Sequence, residues 1–211
     1  MYKYRREKVI LQGKCLKNSK ILRGLFFNSK SICRFIKELY LCKNNSLSTK
    51  FYAMSNEIGK RGERIFAFIV GKSFAPYGYL FDTVFLGDKY PTVDFYVDLL
   101  NYTAKKGFFF ASVKTTTQGY TTEKNHLKIF VNKEELQELV KYPVPTYLFG
   151  IDAIEEKGYF ICVNNIDTRQ NLSSLSLKYP MEPAYLSALW EEVKHFWDNN
   201  NSIHSFTSKF I

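Results

Sequence analysis

Histidine and cysteine are both scarce in this chain. Its 211 residues include three histidines (His126, His195, His204) and four cysteines (Cys15, Cys33, Cys42, Cys162). No two cysteines form a CxxC pair, so neither a structural zinc centre nor histidine-rich metal chemistry is a leading reading. Dispersed cysteines of this kind read as reduced thiols, which suits a reducing compartment and a cytoplasmic location. No apolar run approaches the roughly 18 residues a membrane span needs, so no membrane partner is expected. Internal repeats and low-complexity tracts are absent as well.

Acids are missing from one place in particular. Residues 1–53 hold 13 Lys/Arg against only Glu7 and Glu38, a balance of +11, whereas residues 54–211 hold 17 Lys/Arg against 18 Asp/Glu, a balance of −1. The net charge of +10 therefore says little about the rest of the chain. Residues 1–53 read as a basic extension, with three readings open: an arm that grips phosphates, a targeting extension, or sequence upstream of a start at Met54. The expected domain covers residues 54–211.

What is abundant is aromatic: Phe 19 and Tyr 15, enough to bury a sizeable core. Ser55 or Asn56 can cap a helix that carries Ile58, Ile65, Phe66, Ile69 and Val70 on one face, despite Gly59 and Gly62. Strands are predicted over 78–88, 92–101 and 108–117, the last two joined as a hairpin. "HLKIFVN" is a further strand and "KEELQELVKY" a short amphipathic helix. "PVPTYLFGIDA" and "KGYFICVN" pair around a turn, and "NIDTRQNLSSLSLKYP" reads as a loop. "PAYLSALWEEVKHFWDNN" closes the chain as an amphipathic helix. This order predicts an α/β fold, a mixed sheet flanked by helices.

Within that order, "FFFASVKTTT" poses a problem. A run so rich in aromatic and small residues suits a buried strand, yet it carries Lys114, and lysine is almost never buried without a partner. Strand alternation puts Ser112, Lys114 and Thr116 on one face, and Asp94 and Asp98 together on a face of the preceding strand. In an antiparallel hairpin, Asp94 can lie opposite Lys114. A carboxylate there would meet the lysine charge and make an oxygen-rich site for a hard cation.

"YPTVDFYVDLL…GFFFASVKTT" resembles the core of the PD-(D/E)XK nuclease superfamily, which has an Asp at a strand start and an acidic-x-Lys triplet on the adjoining strand. More narrowly, the helix with Gly59, Gly62 and Glu63, the Asp strand, "VKTT" and "PVPTYLFGID…GYFICV" together resemble the bacterial domain-of-unknown-function 4365 family over roughly residues 55–165. The resemblance implies a restriction-endonuclease-like sheet and hydrolysis of phosphodiester bonds in nucleic acid, with DNA as the expected partner, in bacterial defence or DNA processing. It implies Asp94, Glu63 and Lys114 as catalytic residues. Mg²⁺ or Mn²⁺ would be held by Asp94, Glu63, the Val113 carbonyl and Ser112. The departure is Ser112, where the superfamily usually has Glu or Asp; Glu63 or Asp98 could compensate.

Each residue has a plainer reading. Lys114 could be an edge-strand lysine reaching solvent, Asp94 a turn residue, Glu63 part of a solvated helix face and Asp98 structural. Gln118, Tyr120 and His126 could contact a nucleic-acid backbone or be polar loop residues. Two rival functions follow: a catalytically degenerate nuclease fold that binds nucleic acid or a partner protein, and a structural interaction domain that uses its aromatic surface as a homodimer.

Overall fold

The computed structural model describes residues 56–211 apart from 88, 89, 91, 104, 105, 200 and 201. The chain divides between Tyr52 and Ala53. The basic extension over 1–53, with Cys15, Cys33 and Cys42, and Ser55 as helix cap lie outside the described residues.

Helix α1 covers 56–70. It is followed by a small hairpin of β1 (Ser73–Phe74) and β2 (Gly78–Tyr79), then β3 (Phe81–Phe85), β4 (Phe95–Leu99) and β5 (Phe108–Thr116). β6 (His126–Val131) leads into α2 (Lys133–Leu139) and on to β7 (Thr146–Asp152) and β8 (Lys157–Cys162). β9 (Leu172–Ser176) and α3 (Pro183–Asp198) complete the domain.

Five strands form one mixed sheet in the order β3-β4-β5-β7-β8. β3, β4 and β5 make an antiparallel meander, β7 pairs in parallel with β5, and β8 returns antiparallel to β7. The parallel step requires a crossover, and β6 with α2 supplies it. β6 pairs with β9 as a separate two-stranded ribbon.

The ribbon corrects one expectation. In sequence, residues 172–176 read as part of the loop "NIDTRQNLSSLSLKYP". Here they form β9, with Leu175 opposite Leu127 and both side chains buried. The strand exists because a remote segment supplies its hydrogen bonds and its apolar cover, and neither is local information.

A separate core lies on each face of the sheet. On one face, α1 and α3 pack Phe66, Leu186, Leu189 and Val193 against Phe95, Phe109, Phe149 and Phe160. Phe66 sits between Phe95 and Phe149, with ring centroids 4.8 and 4.7 Å away. Burying each such ring contributes about 1.5–3 kcal/mol, and the tilted and edge-on ring contacts each add about 0.5–1.5 kcal/mol. On the other face, α2 and the ribbon cover Leu148 with Leu127, Ile129, Leu136, Leu139 and Leu175. β5 is thus a central strand covered on both faces, which explains its lack of clean alternation. α3 also clamps the β4–β5 hairpin: Trp190 and Trp197 donate their indole N–H groups to the carbonyls of Leu100 and Phe108.

Two glycines allow these layers to close. A Cβ on Gly62 would stand 1.7 Å from Thr115 Oγ1, so α1 crosses β5 at a distance only glycine permits. A Cβ on Gly150 would stand 2.9 Å from Leu175 Cδ2, and this absence lets the ribbon lie down on β7. Gly150 is the register partner of Lys114, so the ribbon settles beside that lysine.

Candidate functional site

β4 stops short of the end of β5. The last paired residues are Phe95 and Ala111, and β5 continues to Thr116 with only β7 beside it. Asp94 stands where the ladder ends. Its own N–H donates to the Ala111 carbonyl at 3.0 Å, and its Oδ2 accepts the Val113 N–H at 2.6 Å. The carboxylate therefore replaces the backbone acceptor that the departing strand withdraws, satisfying a donor that would otherwise be orphaned.

Lys114 follows in the notch this leaves. It is not an edge-strand lysine running into solvent. Its Nζ lies 2.5 Å from Glu135 Oε1, and the two side chains are only 29% and 18% exposed. Glu135 belongs to the first turn of α2, where its N–H donates to the Oδ1 of the N-cap Asn132 at 2.8 Å. The cap fixes the helix start, and the helix start fixes the carboxylate opposite the lysine.

Burial is the main influence on Asp94 and pushes its carboxyl pKa above the ordinary value. The Val113 N–H and the Lys114 charge oppose that shift, and Glu135 adds to it. Asp94 thus feels both members of the Lys114–Glu135 pair, in a place partly withdrawn from water.

The structure distributes the expected site residues unevenly. Asp94, Val113 and Lys114 come together. Ser112 lies on the Lys114 face of β5, fully buried, and its Oγ has no hydrogen-bond partner. Glu63 is carried by α1, the helix whose Gly62 presses on Thr115 from the opposite face of the sheet. Asp98 pairs in register with Phe108 and accepts a hydrogen bond from the Tyr96 hydroxyl at 2.7 Å. Four residues along an extended strand, or about 13 Å, separate it from Asp94, so it does not replace the missing acid. Gln118 lines the pocket beside Lys114. Tyr120 reaches Glu155 at 3.4 Å, and His126 contacts Asn125 at 2.7 Å.

The residue that sequence reasoning missed is Glu135. The available signal is "NKEEL", an N-cap asparagine followed by acids on the first turn of a short helix. What turns Glu135 into a site residue is the crossover that brings α2 over β5.

Among the described residues, no group of three or more His, Cys, Asp and Glu side chains is placed to hold a metal. Asp94 and Glu135 are oxygen donors of the kind Mg²⁺ accepts, since it keeps several waters and is commonly bound through one or two carboxylates. In residue type, these donors suit such an ion. Among the described residues, no helix is long and apolar enough to cross a membrane.

Compared with protein-family models, curated proteins and solved structures, the chain gives no match.

Proposed function

We propose that this protein is a metal-dependent nuclease that hydrolyses phosphodiester bonds, with DNA as substrate. The observation that carries the reading is the convergence of Asp94, Lys114 and Glu135 in the notch where β4 leaves β5. Further support comes from the element order. A helix, a three-stranded meander, a crossover helix and a fourth strand parallel to the third make a mixed sheet of the general kind that the resemblance implies.

On this reading Asp94 and Glu135 would hold the cation, with the Val113 carbonyl and the Ser112 hydroxyl as neutral donors. Glu63 remains the candidate further acid on α1. Mg²⁺ or Mn²⁺, when bound, supplies Lewis-acid polarisation of the scissile phosphate and a bound water of lowered pKa. Lys114 Nζ donates to a non-bridging phosphate oxygen and offsets the charge that develops there. The low exposure of Lys114 and Glu135 strengthens both interactions relative to bulk water. Asp94 Oδ2, tied to the Val113 N–H, keeps the carboxylate from swinging away. The cytoplasmic setting and a role in bacterial defence or DNA processing belong to the same proposal and rest on the resemblance.

A second reading has its own observation. Ser112 replaces the usual acid and is wholly buried, and Lys114 is already neutralised by Glu135. A chain that keeps the fold and binds nucleic acid or a partner protein without cutting would look the same.

One assay separates the two: cleavage of plasmid and linear DNA in Mg²⁺ or Mn²⁺, against EDTA, for wild type, Lys114→Ala, Asp94→Ala and Ser112→Glu. The nuclease reading expects divalent-dependent cleavage that both alanine variants abolish. Cleavage that persists in both would remove this site from the reaction. An inert wild type alongside an active Ser112→Glu would make the native protein a degenerate nuclease.

A further inference from the structure

A groove runs from Lys114 to the outer face of the ribbon. It encloses about 460 Å³, within the range of pockets that take small organic ligands. Lys114, Thr116, Gln118, Lys128, Phe130 and Ser173 line it, and among the described residues no acid does. Lys128, hydroxyls and an amide make its surface rich in hydrogen-bond donors, with the Lys114–Glu135 pair at one end, while the domain around it is close to neutral.

Phe130 is the anomaly. It is 64% exposed, on a strand whose alternate residues Leu127, Ile129 and Val131 are buried. Register explains the direction: Lys128 and Phe130 are two residues apart and share the outward face of β6. Lys128 stands opposite Ser174, and the pairing slips between Lys128 and Val131, which displaces the strand locally at Phe130. Lys128 makes no ion pair among the described residues. An outward ring beside a free ammonium and hydroxyls, at the mouth of a groove that ends on Lys114, has no packing role in the fold.

We infer that this groove binds single-stranded nucleic acid, with one unpaired base stacked on Phe130 and the adjoining phosphate on Lys128, leading the backbone toward Lys114. The inference rests on the nuclease reading for what happens at the Lys114 end, and it adds the form of the substrate. Flat unpaired bases stack on an exposed aromatic ring, whereas bases in a duplex are already stacked on one another. The charge fits: no acid lines the groove, and a polyanion meets Lys128, which has no ion-pair partner among the described residues, before it reaches the Lys114–Glu135 pair. A protein partner docked by Phe130 would call for an apolar surround, and the surround here is Lys, Ser and Gln.

The test uses the full chain in EDTA, so that hydrolysis does not intervene. Fluorescence anisotropy of a labelled oligo(dT) of about 15 nucleotides, and of a duplex of matching length, is followed against salt concentration. Phe130→Ala should weaken single-strand binding about 5- to 100-fold while changing duplex affinity less than about twofold, and Phe130→Trp should restore it. Lys128→Ala should weaken binding and lower the log–log salt slope by about 0.7, one phosphate contact on a single strand. Residues 1–53 are the same in every variant, so a difference between variants does not come from them. If Phe130→Ala leaves single-strand affinity unchanged, or weakens both substrates equally, the groove is not a stacking site and the inference fails. Phe130-dependent binding by a protein inert with Mg²⁺ and Mn²⁺ would retire the nuclease reading and keep this one. Cleavage with Phe130-indifferent binding would do the reverse.

Discussion

Lys114 Nζ lies 2.5 Å from Glu135 Oε1, linking the central strand of the sheet to the first turn of the crossover helix. Both side chains are largely withdrawn from water, so the pair cannot be treated as a surface ion pair worth a few tenths of a kcal/mol. Removing one partner leaves the other charge poorly solvated. Glu135→Ala and Lys114→Ala should each cost about 1–3 kcal/mol of stability, and a double-mutant cycle should return a favourable coupling. Urea unfolding of the four proteins checks this. In the cleavage assay Glu135→Gln should lower the rate by about two to three orders of magnitude, the scale for losing one electrostatic contact to a transition state. A wild-type rate in Glu135→Gln would exclude α2 from the chemistry.

Asp94 gives a pH prediction of definite sign. Burial raises its pKa in the folded protein above the unfolded value. Its contribution to stability is then present below the ordinary carboxylate range and lost as pH rises through the raised folded value. Asp94→Asn, which cannot ionise, should therefore be more stable than wild type at neutral pH in EDTA. The gap should close on acidification. Adding Mg²⁺ should raise the wild-type melting temperature and leave Asp94→Asn unmoved, because only a ligand that binds the folded state stabilises it. Thermal melts at several pH values, with and without the ion, decide the matter. A destabilised Asp94→Asn at pH 7 would mean that the Lys114 charge outweighs burial.

Gly62 tests the seating of α1. The added methyl in Gly62→Ala would fall 1.7 Å from Thr115 Oγ1, which forces the helix outward even though alanine favours helix. Overpacking of this kind costs about 1–3 kcal/mol, a fall of a few °C in melting temperature for a domain of this size. Calorimetry reads it directly. An unchanged or raised melting temperature would mean that α1 does not pack on β5 at this point.

Glu192 holds the C-terminal segment. It accepts hydrogen bonds from the Tyr147 hydroxyl at 2.8 Å, the Ser208 hydroxyl at 2.6 Å and the Lys209 N–H at 2.9 Å. Tyr147 is fully buried, and burial first, then Glu192, holds its hydroxyl well above its ordinary pKa. Glu192→Ala leaves two buried hydroxyls without an acceptor and should cost about 2–4 kcal/mol. Limited proteolysis should then release the last residues of the chain before the rest. A variant as stable and as resistant as wild type would show that this network holds nothing in place.

Cys162 gives a chemical check on the same region. Burial pushes its thiol up to about 12, and thiolates, not thiols, are what alkylate. Iodoacetamide at neutral pH should leave the peptide containing Cys162 unmodified in the folded protein and modify it in urea, as read by mass spectrometry. Rapid labelling without denaturant would contradict the placement of β8.

Much of the architecture could be read from residue order, because it rests on local patterns. The apolar stripe of α1, the alternation in β4, the aromatic run of β5 and the faces of α2 and α3 are each set by neighbours a few residues apart. The hairpin between β4 and β5 likewise follows from a short connection, so Asp94 and Lys114 could be placed on adjacent strands from sequence alone. Tertiary structure decided what depends on distant segments meeting. β9 exists because β6 offers it a ladder and a buried face. Glu135 faces Lys114 because a crossover carries α2 over the sheet, and the ribbon reaches that site because Gly150 has no side chain. Sequence fixes which charge needs a partner, since a cation in an aromatic strand is costly unless matched; which carboxylate meets it is a question of through-space distance, settled only once the layers have packed.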